Sequence, residues 1–496
     1  MAFLDHVAIL QVAVPLLAAP LCVMLPGRHL PWALTLSVSW FTLICSVVLL
    51  SEVSAGGSIA YHLGNWPPPI GIEYRVDAIN ALVLLVVSGI SAIALPYART
   101  SVEHEIEPDK HGLFYTAYLL CLTGLLGVTI TGDAFNIFVF LEISSLSTYV
   151  LVATGARLDR RALSAAYTYL VLGTVGATFF VLGVGLLYMV TGTLNLADLA
   201  ERLPPLAESR VVQAAFAFVV AGMGLKLALF PLHAWLPNAY AYAPSLVTVF
   251  LAATATKVSV YVLLRFVYTV FGHEFAFIEP VLAWLVLPLA VIAMLAGSVV
   301  AIHQDNLKRM FAWSSIAQIG YMMLGLALAN ASGLTATVLH LFNHALMKGA
   351  LFMALGGVML RIGAVSLTSV RGLAREMPWT FAALVIGGLG LIGVPGTVGF
   401  VSKWYLILAA IEKGWWLLAL LIAAASLLAV IYVWKLVEAA YLQPAPQDRE
   451  RVRDMPPDML IPLWVLALAN IWFGVDAGLT TSVAGTVVHA FLGGGS

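Results

Sequence analysis

The sequence predicts an all-α integral membrane protein of about fourteen transmembrane helices, and three observations carry that prediction. Only 10% of the 496 residues are charged and 61% are hydrophobic, whereas a soluble domain is about 25% charged. Apolar runs of the roughly 20 residues needed to span a bilayer recur along the whole chain. The cations gather on one set of connecting loops and are scarce on the other.

The runs fall near 7–26, 31–51, 77–97, 112–131, 134–154, 163–190, 211–236, 245–271, 279–302, 309–329, 335–360, 379–410, 415–442 and 459–475. A last stretch, 477–492, is short and mildly apolar, which suits an interfacial helix. The first run lacks a charged leader and a small-residue cleavage site, so it reads as a retained helix.

If the runs alternate across the bilayer, loops after odd-numbered helices share one side. They carry Arg28, Arg99, Lys110, Arg157, Arg160, Arg161, Lys308, Arg309, Arg361, Arg371, Arg375, Arg449, Arg451 and Arg453. The other side has only Arg75, Arg202, Arg210 and Lys413. The positive-inside rule then predicts a multi-pass protein of the cell inner (cytoplasmic) membrane, with both termini outside.

Composition excludes other classes. Lys+Arg 24 against Asp+Glu 25 leaves no basic surplus for nucleic acid. Cys22, Cys45 and Cys121 stand singly in apolar runs and form neither a CxxC site nor a disulfide framework.

Six cations remain, all inside the runs: Lys226, Lys257, Arg265, Lys348, Lys403 and Lys435. Arg265 and Lys435 lie toward helix ends, where long side chains reach the headgroups. Lys435 also has Glu438 one turn on, and this pair, with His233, is read as accessory. Glu142 sits eight residues into the fifth run, roughly 12 Å deep at about 1.5 Å per residue. An ionisable group there costs at least about 2.5–3.5 kcal/mol on insertion scales.

Two runs are interrupted. Lys226 precedes Pro231 in the seventh, and Lys403 follows Pro395, between Gly393 and Gly396, in the twelfth. Proline removes a backbone donor and clashes with the preceding turn. The freed backbone groups are tolerated at membrane depth only within protein or beside water. Two broken, lysine-bearing helices five runs apart, pointing in opposite directions, predict inverted five-helix repeats with the working site at the breaks. The resulting divisions are 1–111 (helices 1–3), 112–271 (helices 4–8), 272–442 (helices 9–13) and 443–496 (helix 14 and tail).

The eleventh run contains HLFNHALMK, in which His340, His344 and Lys348 share one helical face. No carboxylate or cysteine stands beside the histidines and no HExxH is present, so no metal is expected. Histidine titrates near neutral pH and is readily tuned, which suits a file of groups passing protons. Glu142, Lys226, Lys257, His340, His344, Lys348 and Lys403 together read as a proton relay. A Glu142–Lys226 pair would hold both charged, and its separation would release a proton.

These residues carry a family resemblance over nearly the whole chain. Its most specific stretches are LKLALFPLHAWLPNAYAYAPSLVTVFLAATATKVSVYVLLR (225–265), DNLKRMFAWSSIAQIGYMMLG (305–325), HLFNHALMKGALFMALGG (340–357) and GVPGTVGFVSKW (393–404). The sequence resembles the antiporter-like subunits shared by respiratory complex I, membrane-bound hydrogenases and Mrp-type Na+/H+ antiporters, and looks most like the D-type member of the Mrp set. That resemblance implies fourteen helices with the seventh and twelfth broken. It makes Glu142 and Lys226 the essential pair, Lys257 the central base, His340, His344 and Lys348 the linking groups, and Lys403 the terminal residue. Lys403 also argues against the complex I branch that has Glu at this position. The chain stops soon after its fourteenth helix, without the lateral helix of the largest members.

The function the resemblance implies is proton translocation in a multisubunit Na+/H+ antiporter. The alternative is a pumping subunit of a complex I-like NADH:quinone oxidoreductase or a membrane-bound hydrogenase. Protons, Na+ and sister membrane subunits are the expected partners. No bound cofactor and no catalytic site of its own are expected.

Overall fold

Long apolar runs become helices because a backbone in lipid must satisfy its own hydrogen bonds. The computed structural model describes residues 6–54, 57–272, 275–447 and 449–493. Helices α1 (Val7–Met24) and α2 (His29–Ser54) precede a hairpin of β1 (Ile59–His62) and β2 (Glu73–Val76), paired antiparallel with Ile59 opposite Val76. Then come α3 (Ala78–Glu105), α4 (His111–Ile130), α5 (Ala134–Ala153), α6 (Arg161–Thr191) and the short α7 (Leu196–Arg202). The seventh run is helical only as α8 (Arg210–Lys226), with α9 (Leu236–Tyr242) starting where that run ends, and the eighth becomes α10 (Ser245–Ala253) and α11 (Ala255–Arg265).

The second half begins with α12 (Ile278–Val281) and α13 (Leu287–Ile302), joined by one π-helical turn. It continues through α14 (Leu307–Leu328) and α15 (Ala331–Ile362) to α16 (Pro378–Ile392) and α17 (Val398–Glu412), the two halves of the twelfth run. Helices α18 (Trp416–Val437), α19 (Pro457–Val475) and α20 (Gly478–Phe491) complete the chain. Among the described residues, twelve helical stretches are long and apolar enough to cross a membrane. The seventh and twelfth runs fall outside that set because each is split.

The helix starts follow local chemistry. Asp77 accepts from the Asn80 amide while Asn80 Oδ1 accepts from the Asp77 amide, a reciprocal cap on α3. Asn306 and Asn330 cap α14 and α15 in the simpler way. The breaks have local causes too. Between α8 and α9, Ala228 takes a φ of +62° and Pro231 lacks a backbone donor. Between α16 and α17, Gly393 and Gly396 both adopt φ of +86°, which glycine alone takes readily.

The eighth run, continuous by its sequence, breaks at Thr254, where φ is −125° and ψ −58°. No proline or glycine marks that point. The last run, 477–492, forms α20, whose Val483, Val487 and Phe491 pack inward, with Phe491 stacked on Tyr268.

Burial separates a centre from a rim. In α14, 94% of the apolar window is buried, against 39% in α13 and in α18. Of the relay candidates, Lys257, His340, His344, Lys348 and Lys403 sit on α11, α15 and α17, Lys226 ends α8, which packs against α11, and Glu142 is on α5.

Close backbone approach holds the twelfth break together. A Cβ at Gly399 would collide with the Gly390 carbonyl oxygen. Gly399→Ala is therefore expected to force α16 and α17 apart, destabilising the protein by about 1–3 kcal/mol or more. The check is the melting temperature in detergent, and an unchanged value would refute the contact.

On the loop face, Asp454 caps α16 from a distance. Its carboxylate accepts from the Trp379 amide at 2.8 Å and from the Thr380 hydroxyl, while its carbonyl accepts from Arg361. Asp454→Ala is expected to cost about 1 kcal/mol, as loss of a helix cap does, measured by the same melting experiment. Nearby, burial works against the charge on Glu376, but the Val452 amide and Arg449 outweigh it and hold the carboxyl below its ordinary range.

Candidate functional site

The first cluster lies where α8 ends. Lys226 is the last residue of α8, and its Nζ donates to Ser145 Oγ at 2.6 Å. Glu142 Oε1 lies 3.6 Å from the same Nζ. The two expected partners are thus brought together, with Ser145, one turn past Glu142 on α5, as the third member. Lys226 is enclosed, but Glu142 keeps 24% of its side chain exposed. It falls in a stripe with Phe135, Val139, Leu146 and Val150, all exposed on the outer face of α5. Nothing in the sequence places an acid at this depth on an outward stripe.

Lys257 stands just past the break at Thr254 and is fully buried. Its Nζ donates to the Ala252 carbonyl and lies 3.4 Å from Thr256 Oγ1. Helix ends leave carbonyls without intrahelical partners, and the break puts such carbonyls one turn behind the lysine.

The column on α15 is buried throughout. His340 Nε2 meets Gln318 Oε1 at 2.9 Å and its Nδ1 meets Ser402 Oγ at 2.8 Å. A Gln carbonyl oxygen only accepts, so Nε2 carries the hydrogen and Nδ1 accepts from the Ser402 hydroxyl. His344 stacks parallel to His340 with ring centroids 5.9 Å apart, and neither of its nitrogens has a hydrogen-bond partner among the described residues. Lys348 donates to the Phe311 carbonyl at 2.7 Å and to Ser314 Oγ, with its ammonium against the Phe311 and Phe352 rings.

Lys403 closes the series. It donates to the Leu391 and Ile392 carbonyls at 2.7 and 3.0 Å, at the end of α16, and lies 4.6 Å from the centre of the Tyr321 ring. Lys257 and Lys403 therefore make the same kind of contact, an amine held by carbonyls freed at a helix break. Among the described residues, Lys226 alone of the membrane-depth lysines has a carboxylate within ion-pair distance.

The accessory residues are dispersed. His233 stacks on Phe230 and meets the edge of Trp313. Lys435 donates to the Ile302 carbonyl at 2.8 Å, and Glu438 accepts from Gln443. They bond to separate partners.

Two cations depart from expectation. Arg265 does not reach for headgroups; it is buried and makes a two-pronged ion pair with Asp77, at 2.7 and 2.8 Å. The capping aspartate of α3 comes within reach, and a paired guanidinium has no need of the surface. Lys308 is not a solvated loop cation. It lies buried in the first turn of α14, 3.2 Å from the Ala243 carbonyl and 3.4 Å from Ser245 Oγ. Beside it Glu105, a buried acid, accepts from the Ser245 amide at 2.6 Å. Sequence alone conceals Glu105 because the third apolar run ends near residue 97, whereas α3 continues to Glu105.

Comparison with known proteins places the sequence and the fold. The profile described as NADH:quinone oxidoreductase/Mrp antiporter, transmembrane, matches residues 131–429. The N-type subunit of the NADH-quinone oxidoreductase of Desulforudis audaxviator is 41% identical, covering 95% of this chain and 96% of that protein. The D-type subunit of the Na(+)/H(+) antiporter of Alkalihalophilus pseudofirmus is 28% identical, covering 96% and 94%. In the structure of the Mrp complex from Dietzia sp. DQ12-45-1b, one chain superposes with a TM-score of 0.90 at 26% identity, over 99% of this chain and 98% of that one. On sequence and fold alike, the chain belongs to the NADH:quinone oxidoreductase/Mrp antiporter transmembrane family.

Proposed function

We propose that this chain carries protons across the membrane within a multisubunit complex, through the set Glu142, Lys226, Lys257, His340, His344, Lys348 and Lys403. One observation supports this above the others. Lys257, Lys348 and Lys403 are enclosed and held by neutral oxygens, with no counter-ion in bonding reach among the described residues. Charged groups there are costly, and a packing role gives no reason to keep three of them. A group poised between charged and neutral forms does.

The breaks support the two inverted repeats, 112–271 and 272–442, each with a lysine at its interrupted helix. The outward stripe bearing Glu142 supports a sister subunit covering α5, since a carboxylate does not face lipid tails unaided. The loop charges support both termini lying outside, although burial of Lys308 takes one cation from the basic side.

For the complex served, the motifs put the Mrp-type antiporter first, with Na+ exchanged for H+. A redox-driven complex is the second reading, and the 41% identity to a protein named as an NADH-quinone oxidoreductase subunit favours it. Membrane vesicles carrying the native complex separate the two. Na+-dependent proton exchange without an electron donor supports the antiporter. Proton movement that appears only with a donor and an acceptor quinone removes it.

A further inference from the structure

Helix α14 is buried along its whole length except at Arg309 and Trp313, which stand one turn apart and are partly open. The α8–α9 break lies against them. His233, only 9% exposed, meets the edge of Trp313 with ring centres 5.0 Å apart and stacks on Phe230 at 4.9 Å. Arg309 Nε, Trp313 Nε1 and His233 Nδ1 have no hydrogen-bond partner among the described residues. No acid pairs with Arg309 among them either. A guanidinium and an indole N–H only donate, and an imidazole nitrogen donates in one tautomer. Buried polar groups are nearly always paired, so three such groups side by side call for a ligand that brings acceptors.

The chain next to His233 borders an apolar cavity of about 480 Å³. Ala217, Ala221 and Gly224 on α8, Leu289 on α13, and Pro231 and Leu232 at the break are among its lining. A break at membrane depth ordinarily leaves backbone donors bare. Here Pro231 has no N–H, and the Leu232 amide donates to the Leu229 carbonyl at 2.6 Å. That wall suits a hydrocarbon chain. Gly297 of α13 packs on the Trp313 backbone, and Leu289 precedes it on α13, about 12 Å farther from the basic loops. The donors thus lie near the basic-loop face, and the cavity runs from them toward the middle of the bilayer.

We infer that this crevice binds one anionic phospholipid from the leaflet on the basic-loop side. Its phosphodiester lies at Arg309, an ester carbonyl at Trp313 and His233, and one acyl chain in the cavity. Basic pockets between membrane helices near the cytoplasmic face are where anionic headgroups bind. Trp313 is one turn, about 6 Å, deeper than Arg309, as the ester groups are deeper than the phosphate. Phosphate and ester oxygens only accept, which matches three donors, and the chain beyond them needs no partner. A transmembrane helix, about 10 Å across with its side chains, would cover the crevice without entering it and leave the donors unmet.

The test uses the native complex in phosphatidylcholine vesicles that contain phosphatidylglycerol with a diazirine on one acyl chain. After illumination, the cross-linked peptides are mapped by mass spectrometry. Label is expected on 217–232 and 281–289, and excess unlabelled phosphatidylglycerol is expected to displace it. Arg309→Gln is expected to lower that label about tenfold, the loss of a hydrogen bond to a charged group. Trp313→Phe keeps the ring contact with His233 and is expected to lower it about fivefold, the loss of a neutral hydrogen bond. Ala221→Trp fills the cavity without touching the donors and is expected to abolish the label, which keeps the test valid if a donor variant does not assemble. Label that unlabelled phosphatidylglycerol does not displace and no variant lowers is bulk lipid, and would overturn the site. Absence of label on both segments, the result if a sister subunit covers this face, would overturn it too.

Discussion

Replacing His344 by alanine is expected to lower proton translocation about 100-fold, the loss that removal of a positioned proton-transfer group brings, while the complex still assembles. The reason is the ring's situation. His344 is fully buried, and neither nitrogen has a partner among the described residues. Buried polar groups kept for packing are nearly always hydrogen-bonded. His340, one turn away, is satisfied at both nitrogens by Gln318 and Ser402, so the two stacked rings differ in kind. His340 is held in one tautomer, and His344 is the ring free to exchange. His344→Gln, which keeps polar atoms but does not titrate near neutral pH, is expected to be as inactive as the alanine variant. Lost assembly with normal transport in the remaining complex would return the column to a packing role.

The second large effect is expected from Glu142→Gln. The amide keeps the size of the side chain and removes the charge 3.6 Å from Lys226. Translocation is expected to fall about 100-fold, the low end of the range for loss of an acid–base partner. Breaking a fully buried ion pair costs about 3–5 kcal/mol. The penalty here should be smaller, because Glu142 is partly exposed and Lys226 keeps its bond to Ser145. Loss of transport with little change in melting temperature is the expected pattern. Unchanged transport would remove Glu142 from the path.

The helices are legible in the sequence because apolarity and length decide what can cross a bilayer. The seventh and twelfth breaks are legible because Pro231 and Pro395 announce them. The break at Thr254 is not. In FLAATATKVSV nothing forbids a continuous helix, and the interruption emerges only once Lys257 turns back to the Ala252 carbonyl. The relay groups themselves stand out because a charge inside an apolar run has no cheap explanation. Their partners do not: Ser145, Gln318, Ser314 and Ser402 are small or neutral polar residues in apolar runs, and other such residues there bond to their own helix.

Position near a helix end misleads in three places. By sequence Arg265 reaches for the headgroups, Lys308 is a loop cation, and Glu105 lies outside the third run, yet all three are buried with partners from distant segments. Linear distance from a helix end measures depth only where the end faces water. Here β2, α10 and the start of α14 fold over those ends.

The central claim is that protons pass through the buried line, and Lys257 at its middle tests it most directly. The measurement is the initial rate of proton translocation by the intact complex in sealed vesicles, wild type against Lys257→Ala, with subunit content quantified in the same preparation. The relay predicts a fully assembled complex that moves no protons above the background of protein-free vesicles. A Lys257→Ala complex translocating at the wild-type rate would contradict it.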